Sequence, residues 1–182
     1  CFMTVSRRTL ARLATTLAAT AALGTALPAF AADPRVKFVT SEGDFVVELY
    51  PAKAPKTVEN FLQYVKDKHY DGTIFHRVID SFMVQGGGFD KDYKQKPTRA
   101  PVQHEGREAV AKGLKNVVGS VAMARTGDPN SATSQFFVNV VDNTRLDPVI
   151  IPPGDPVAKF EYQGQTYENV PRANLENHPQ LY

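Results

Sequence analysis

The sequence predicts a mainly β domain with one helix, and three observations support that fold class. Short runs rich in valine, isoleucine and phenylalanine recur between residues 37 and 140. Segments rich in Gly, Pro, Asp and Asn separate these runs, as is typical of turns and loops between strands. Residues 56–68 instead repeat apolar side chains at helical spacing. With 182 residues, the chain is long enough to bury one core and short for two typical domains.

The predicted elements begin with a hairpin. Residues 37–40 and 45–50 are rich in β-branched and aromatic side chains, and Ser41-Glu42-Gly43-Asp44 between them is typical of a turn. Pro55 then suits the first position of a helix, which carries an apolar i, i+3, i+4, i+7 pattern at Val58, Phe61, Leu62 and Val65. We expect this amphipathic helix over 56–68, followed by strands at 74–79, 82–85, 117–124 and 135–140.

The first 31 residues are typical of a secretory signal peptide. Three arginines precede an alanine- and leucine-rich run at 13–27, and Ala29-Phe30-Ala31 supplies the small-x-small pattern that a signal peptidase cuts. A membrane anchor is the alternative, but the run is short for a bilayer and is diluted by threonines and a glycine. We expect cleavage near Ala31. Ser6-Arg7-Arg8-Thr9-Leu10 also resembles a twin-arginine motif, so the export route stays open.

Charge and cysteine content argue against several classes of function. Removing residues 1–31 changes the formal net charge from +2 to −1, because three arginines leave and no acid does. A nearly neutral domain lacks the basic surface of a nucleic-acid-binding protein. The only cysteine, Cys1, precedes the mature domain. We therefore expect no disulfide, thiolate nucleophile or cysteine-based metal site.

The segment 75–87 has the composition of a pocket. It sets Arg77 and Gln85 among apolar side chains and ends in glycines. Because side chains alternate along a strand, Phe75 and Arg77 should share one face while His76 takes the other. A guanidinium is rarely buried without a partner, so Arg77 should either reach a carboxylate or line a partly open cleft.

Three collinear segments together resemble the cyclophilin family of peptidyl-prolyl isomerases, most closely its periplasmic bacterial branch. They are 75–87, Met123-Ala124-Arg125 and Ser134-Gln135-Phe136-Phe137-Val138-Asn139, within a match that runs from about Val36 to Asp147. The resemblance implies a cyclophilin-like closed antiparallel β-barrel with a capping helix, in which closure removes the sheet edges. It places the isomerase domain at 32–147 and the mature protein in the periplasm.

By this resemblance, Arg77 is the catalytic residue. The reaction is rotation about the peptide bond before proline, whose barrier of about 18–20 kcal/mol comes from delocalisation of the nitrogen lone pair. A cation near that nitrogen localises the lone pair, and the planar, permanently charged fork of arginine suits this role. The alternative is a structural ion pair of Arg77 with Glu48 or Glu105. No cofactor and no metal is required.

The resemblance also assigns the apolar cup that holds the proline ring. A cup is needed because the ring must stay fixed while the preceding carbonyl turns. Taken one at a time, its members are more typical of a core. They are Phe82, Met83, Phe137 and Leu146.

Four further positions match substrate-binding residues of the family. Gln85 and Gln135 would hydrogen-bond the substrate backbone, since an amide is both donor and acceptor. A satisfied buried amide is the alternative for Gln85. Ala124 and Arg125 would pair with extended substrate, where main-chain hydrogen bonds tolerate varied side chains.

Histidines and glycines indicate no other chemistry. For His76 we expect a structural hydrogen bond, because strand alternation turns it away from Arg77. His69, His104 and His178 lack ligand spacing, so a metal site is unsupported. Gly86-Gly87-Gly88 lacks the lysine and the following helix of a phosphate-binding loop, and we expect it to allow a tight backbone path beside the cleft.

The chain departs from the family pattern in two places. Arg145 stands where eukaryotic cyclophilins usually carry a tryptophan that hydrogen-bonds cyclosporin, so we expect weak cyclosporin binding. After Asp147 the family normally continues with a histidine-containing loop, a strand, a second helix and a final strand. Residues 148–182 instead indicate a proline-rich loop and a hairpin around Gln163-Gly164. We expect an insertion here, in a fragment or truncated product whose barrel is incomplete at its C-terminus.

Three functions follow from these observations. The first is a peptidyl-prolyl cis-trans isomerase that acts on exported, folding proteins. The second is a non-catalytic chaperone module that binds proline-containing peptides, and the third is an inactive truncated product. The expected partners are proline-containing, unfolded or partly folded polypeptides. We expect no nucleic acid, no stable membrane association after signal removal, and a monomer.

Overall fold

The computed structural model describes residues 32–162 and 164–177. The predicted signal peptide at 1–31, with its cleavage site near Ala31, lies outside the described residues, as do Gln163 and His178. From Asp33 onward the described residues belong to one compact unit. None of the helices in this part of the chain combines the length and the apolar character needed to cross a bilayer.

The predicted N-terminal hairpin is confirmed. Strand β1 (Arg35–Phe38) pairs antiparallel with β2 (Phe45–Glu48), and β1 begins two residues before the expected run. Phe38 stands opposite Phe45, and their rings stack with centroids 4.8 Å apart. Gly43 in the turn has a φ of +119°, which glycine adopts without a steric penalty. The hairpin thus delivers two aromatic rings to the core.

The predicted amphipathic helix forms as α1 (Pro55–Lys66), with Pro55 in its first turn. Its buried face consists of Val58, Phe61 and Tyr64. Leu62 and Val65, which the periodicity also placed on this face, are only partly buried. Tyr64 is the better-buried residue because its ring packs against those of His69 and Tyr70 after the helix ends.

A four-stranded antiparallel sheet follows. Its strands, in the spatial order β3-β4-β6-β5, are β3 (Arg77–Ile79), β4 (Met83–Gly86), β5 (Val121–Met123) and β6 (Phe136–Asn139). The four predicted strands are confirmed in position, although β3, β5 and β6 are shorter than expected. Before β5, Gly119 at φ +79° turns the chain. All strand pairs among the described residues are antiparallel, in agreement with the predicted fold class.

Aromatic side chains form the core on one face of this sheet. Phe136 on β6 is only 2% exposed, and its ring lies within 6.2 Å of those of Phe38, Phe61, Tyr70 and Phe75. The expectation that Phe75 shares a face with Arg77 is therefore wrong. Side chains alternate only within a strand, and Phe75 lies outside β3, which begins at Arg77.

The last described residues build a second, smaller core. The expected hairpin is confirmed on both sides of its turn by β7 (Val157–Tyr162) and β8 (Gln165–Val170). Two short helices that the sequence analysis did not predict are α2 (Gly106–Ala111) and α3 (Arg172–Glu176). Each is too short to display helical periodicity. Leu175 of α3 completes a cluster with Ile151, Val157 and Phe160.

Candidate active site

The register of the four-stranded sheet places the principal residues of the site in one row. Arg77 on β3 is opposite Gln85 on β4, Gln85 is opposite Phe137 on β6, and Phe137 is opposite Ala122 on β5. Directly opposed residues project from the same face of a sheet. The row therefore presents a guanidinium, an amide and an aromatic ring on the face opposite Phe136 and the aromatic core.

This face lines a cleft of about 460 Å³. Of the nine residues predicted for catalysis and substrate binding, the cleft brings together Arg77, Phe82, Met83, Gln85, Ala124, Arg125, Phe137 and Leu146. Gln135 does not line it. A cleft of this size is in the range of small-ligand and peptide side-chain pockets.

Arg77 is held by an amide and not by an acid. Its Nη1 donates to Gln85 Oε1 at 3.2 Å, and Gln85 Nε2 donates to Gln135 Oε1 at 2.8 Å. This chain of side chains orients the guanidinium without neutralising its charge. The contact uses one of the five N–H donors of arginine and leaves others for a substrate. These two bonds use one lone pair and one N–H of the Gln85 amide, and the side chain still lines the cleft with one N–H and one lone pair left for a substrate.

The two acids considered as partners of Arg77 are engaged elsewhere. Glu48 forms an ion pair with Arg35, with 2.6 Å between Oε2 and Nη2. Glu105 accepts hydrogen bonds from the main-chain N–H groups of Lys56 and Thr57 at 3.0 and 2.7 Å, at the start of α1. The structural ion-pair interpretation of Arg77 is therefore wrong for both acids.

The four predicted cup residues differ in depth. Met83 is 2% exposed and forms part of the floor, whereas Leu146 is 37% exposed and lies at the rim. Phe82 and Phe137 are intermediate and form walls. Leu146 reaches the cleft from the 3₁₀ turn Thr144–Leu146. Arg145 in that turn lies over the ring of Phe82, with its Cζ 4.8 Å from the ring centroid, a cation–π contact that supports this wall.

The glycines after β4 give the expected tight backbone path. A Cβ on Gly87 would lie 2.9 Å from the ring of Phe136, and Gly87 itself has a φ of +83°. A Cβ on Gly88 would lie 2.5 Å from Cγ of Gln135. Gln135 thus packs directly against the Gly88 backbone. In this position it accepts the hydrogen bond from Gln85 but does not line the cleft.

The segment Ala124–Arg125 lines the cleft with part of its main chain already paired. The N–H of Ala124 donates to the carbonyl of Gln135 at 2.9 Å. That donor is not available to a substrate strand. Arg125 is exposed, and its Nη1 donates to the carbonyl of Thr126 at 3.0 Å. Pairing of a substrate with this segment stays a prediction.

The histidines have environments that lower their basicity. Nδ1 of His76 is buried without a hydrogen-bond partner among the described residues, so the expected structural hydrogen bond is not made by this nitrogen. The ring packs edge-on against Phe89 at 4.6 Å, and burial lowers the pKa of His76 more than a main-chain hydrogen bond with Ile74 raises it. His104 lines the cleft, and its pKa is lowered first by burial and then by the charge of Arg125. Within residues 32–162 and 164–177, no His, Cys, Asp and Glu side chains cluster as metal ligands would.

Comparison with known proteins identifies the family. The family model described as cyclophilin type peptidyl-prolyl cis-trans isomerase/CLD matches residues 35–162. The chain belongs to the cyclophilin family. It is 60% identical over 112 residues to peptidyl-prolyl cis-trans isomerase cyp18 of Streptomyces antibioticus, a match that covers 62% of this chain. It is 53% identical over 112 residues, again 62% of this chain, to peptidyl-prolyl cis-trans isomerase B of Escherichia coli K12.

The cyclophilin fold is also found among solved structures. The crystal structure of cyclophilin AquaCyp293 from Hirschia baltica matches with a TM-score of 0.54 and 28% identity, over 63% of this chain and 60% of that chain. The matches to the two curated relatives span 65% and 66% of their lengths, slightly under two thirds.

Three residues near the cleft of this cyclophilin were not among the predicted site residues. Ala122 lies in the same row as Phe137, and the period-two alternation from Ala124 could have indicated it. His104 enters the cleft from a loop with no periodic signal. The contact of Arg145 with Phe82 joins residues that are 63 positions apart, so no local sequence pattern predicts it.

Proposed function

We propose that this protein is a peptidyl-prolyl cis-trans isomerase. The observation that carries the proposal is the position of Arg77 beside the apolar cup, with its charge not paired to Glu48 or Glu105 and its fork oriented by Gln85. The names of the curated relatives at 60% and 53% identity support the same activity.

The arrangement suits rotation about an imide bond. Met83, Phe82 and Phe137 supply an apolar cup in which a proline ring would be held. The guanidinium of Arg77 would then lie near the proline nitrogen, where a positive charge favours a localised lone pair and weakens the double-bond character of the C–N bond. The reaction needs no proton transfer, nucleophile or metal.

The substrate and the cellular setting are part of the proposal. The cup selects proline through its apolar surface, and Gln85 tolerates varied backbone partners because an amide both donates and accepts. We propose proline-containing segments of unfolded or partly folded exported proteins as substrates. The arginines and the apolar run before residue 32 support a periplasmic location after cleavage. A nearly neutral mature domain argues against nucleic-acid partners. We propose a monomer because no feature of the sequence indicates a stable oligomer.

The test is two-dimensional NMR exchange on a short X-Pro peptide with Arg77→Ala. Removing one preorganised electrostatic donor typically lowers a rate about 10²-fold, so we expect at least that loss in exchange while peptide binding is partly kept. Arg35→Ala is the matched control, because Arg35 is an exposed arginine paired with Glu48 away from the cleft. If the wild-type protein binds the peptide without accelerating exchange, the binding-only chaperone function is correct instead.

A further inference from the structure

Asn143 is a buried polar residue behind the proline cup. Its side chain is 1% exposed, and it does not itself line the cleft. The amide Nδ2 donates two hydrogen bonds, to the main-chain carbonyl of Phe82 at 2.8 Å and to Oδ1 of Asn139 at 2.7 Å. Both hydrogens of this amide are therefore used.

The main chain of Asn143 is tied to the Leu146 rim of the cup. Its carbonyl accepts from the N–H of Leu146 at 2.8 Å, which closes the 3₁₀ turn that presents Leu146 to the cleft. Its own N–H donates to the carbonyl of Asn116 at 2.7 Å. One residue thus connects the Phe82 wall to the Leu146 rim.

A partner network fixes Asn143 in turn. Asn139 donates from Nδ2 to Ser120 Oγ at 2.9 Å and to Asn116 Oδ1 at 3.2 Å. Asn116 donates from Nδ2 to Asp147 at 2.8 Å. The network joins the end of β6, the loop before β5 and the residue that follows Leu146. The Phe82 wall and the Leu146 rim are therefore both attached, through Asn143, to this set of side-chain amides.

Within the part of the chain that the structure describes, the carbonyl oxygen of the Asn143 amide makes no hydrogen bond, so the two hydrogen bonds donated by its nitrogen are the role of this side chain. Its Oδ1 is buried without a hydrogen-bond partner among the described residues. An unpaired buried acceptor is destabilising. Among side chains of similar size, an amide can donate both hydrogen bonds from one nitrogen. Serine has one donor, and leucine and ionised aspartate have none.

We propose that Asn143 is a positioning residue that sets the width of the proline cup by holding Phe82 and Leu146 at a fixed separation. This inference rests on the proposed isomerase function, because it concerns the grip on the proline ring. Asn143 makes no hydrogen bond to Arg77, which is held from β4 by Gln85. Loss of the Asn143 amide should therefore weaken binding more than it slows rotation of the bound peptide.

We expect loss of the Asn143 amide to weaken peptide binding and not to abolish it. The carbonyl of Phe82 also accepts from the N–H of Val140 at 3.2 Å, so the wall is loosened and not released when the amide is lost. For Asn143→Leu we expect the Kd of an X-Pro peptide to rise about tenfold, which corresponds to about 1.4 kcal/mol. The exchange rate within the bound complex should change less than about threefold, the opposite of the split expected for Arg77→Ala.

The experiment measures Kd and bound-state exchange of the same X-Pro peptide by NMR titration and exchange spectroscopy. Asn60→Leu is the matched control, because Asn60 Nδ2 also donates to a main-chain carbonyl, that of Thr133 at 2.8 Å, and Asn60 lies outside the cleft lining. Asn143→Ser, which keeps one donor, provides a milder variant if Asn143→Leu does not fold. For it we expect a rise in Kd of about threefold.

Three results would overturn the inference. They are an unchanged Kd in the folded Asn143 variants, an equal rise in Kd for Asn60→Leu, or a loss of bound-state exchange as large as that of Arg77→Ala. If the wild-type protein binds the peptide but does not accelerate exchange, the isomerase proposal fails while the Kd values still decide the role of Asn143. If the wild-type protein binds no proline peptide, both proposals fail.

Discussion

Gly88→Ala should lower activity while leaving the fold intact. Gly88 has an ordinary backbone conformation, but a Cβ there would lie 2.5, 2.6 and 2.7 Å from Cγ, Cδ and Nε2 of Gln135. These atoms belong to a flexible side chain, so Gln135 will move before the backbone does. Reaching an ordinary contact of 3.4 Å requires a shift of about 0.9 Å. Such a shift can break the 2.8 Å hydrogen bond from Gln85 to Gln135 and so release the amide that orients Arg77.

The size of the effect follows from that hydrogen bond. A neutral hydrogen bond contributes about 1 kcal/mol, and about 1.4 kcal/mol corresponds to a tenfold change in rate. We therefore expect kcat/KM for an X-Pro peptide to fall about fivefold and the free energy of unfolding to fall by about 1 kcal/mol. NMR exchange gives the first quantity, and urea denaturation gives the second.

Gly127→Ala is the matched control for this prediction. A Cβ on Gly127 meets nothing within 4 Å, and its backbone also lies outside the left-handed region. It should leave both quantities unchanged. If Gly88→Ala keeps wild-type kcat/KM, the Gln135–Gln85–Arg77 chain does not orient the guanidinium, and the account of the site is wrong.

Three further predictions concern the core, the cyclosporin position and pH. Phe136→Ala should lower the free energy of unfolding by about 3–5 kcal/mol in a urea titration, because the ring is 2% exposed among four aromatic neighbours; a loss below about 1 kcal/mol would contradict this packing. Arg145→Trp should bind cyclosporin at least about fivefold more tightly than the wild type, whose Kd we expect above about 1 μM by calorimetry. His69 is buried, and burial followed by the charge of Lys96 lowers its pKa, so its neutral form stabilises the fold above about pH 6.5 and this contribution is lost as the pH falls below that value. His69→Gln, which keeps a donor for the carbonyl of Gly87, should lose less stability than the wild type between about pH 7.5 and about pH 5; an equal loss would place the acid sensitivity elsewhere.

Local patterns predicted those elements whose signals lie within a few residues. The hairpin at β1 and β2 follows from alternation around a glycine turn, and α1 follows from its apolar spacing after Pro55. The glycines after β4 indicated a tight path, and both Gly87 and Gly88 lie against side chains that leave no room for a Cβ. For the hairpin and the helix the cause is periodic and acts on neighbouring residues, whereas the side chains that crowd Gly87 and Gly88 include Phe136 and Gln135 from a distant part of the chain.

The prediction that Phe75 and Arg77 share a face is wrong because it depended on where β3 begins. Alternation is informative only within a strand, and pairing with β4 decides that β3 starts at Arg77. Phe75 precedes it and its ring contacts Phe136 at the edge of the aromatic core, although its spacing from Arg77 suggested a common face. Local patterns also did not identify Gln85 as the hydrogen-bond partner of Arg77, because the sequence does not tell which acid or amide an exposed arginine contacts in the folded chain.

The sequence by itself determined that this chain carries the cyclophilin segments, with the cation Arg77 and the apolar residues Phe82 and Met83 within residues 75–87. The tertiary structure alone decided that Gln135 supports Gln85 from 50 residues away, that Arg145 lies over the ring of Phe82, and that Asn143 connects the Phe82 wall to the Leu146 rim. Motifs record which residues are present and in what order, because chain neighbours constrain each other directly. Hydrogen bonds between distant segments depend on strand register and side-chain packing, which exist only once the chain has folded.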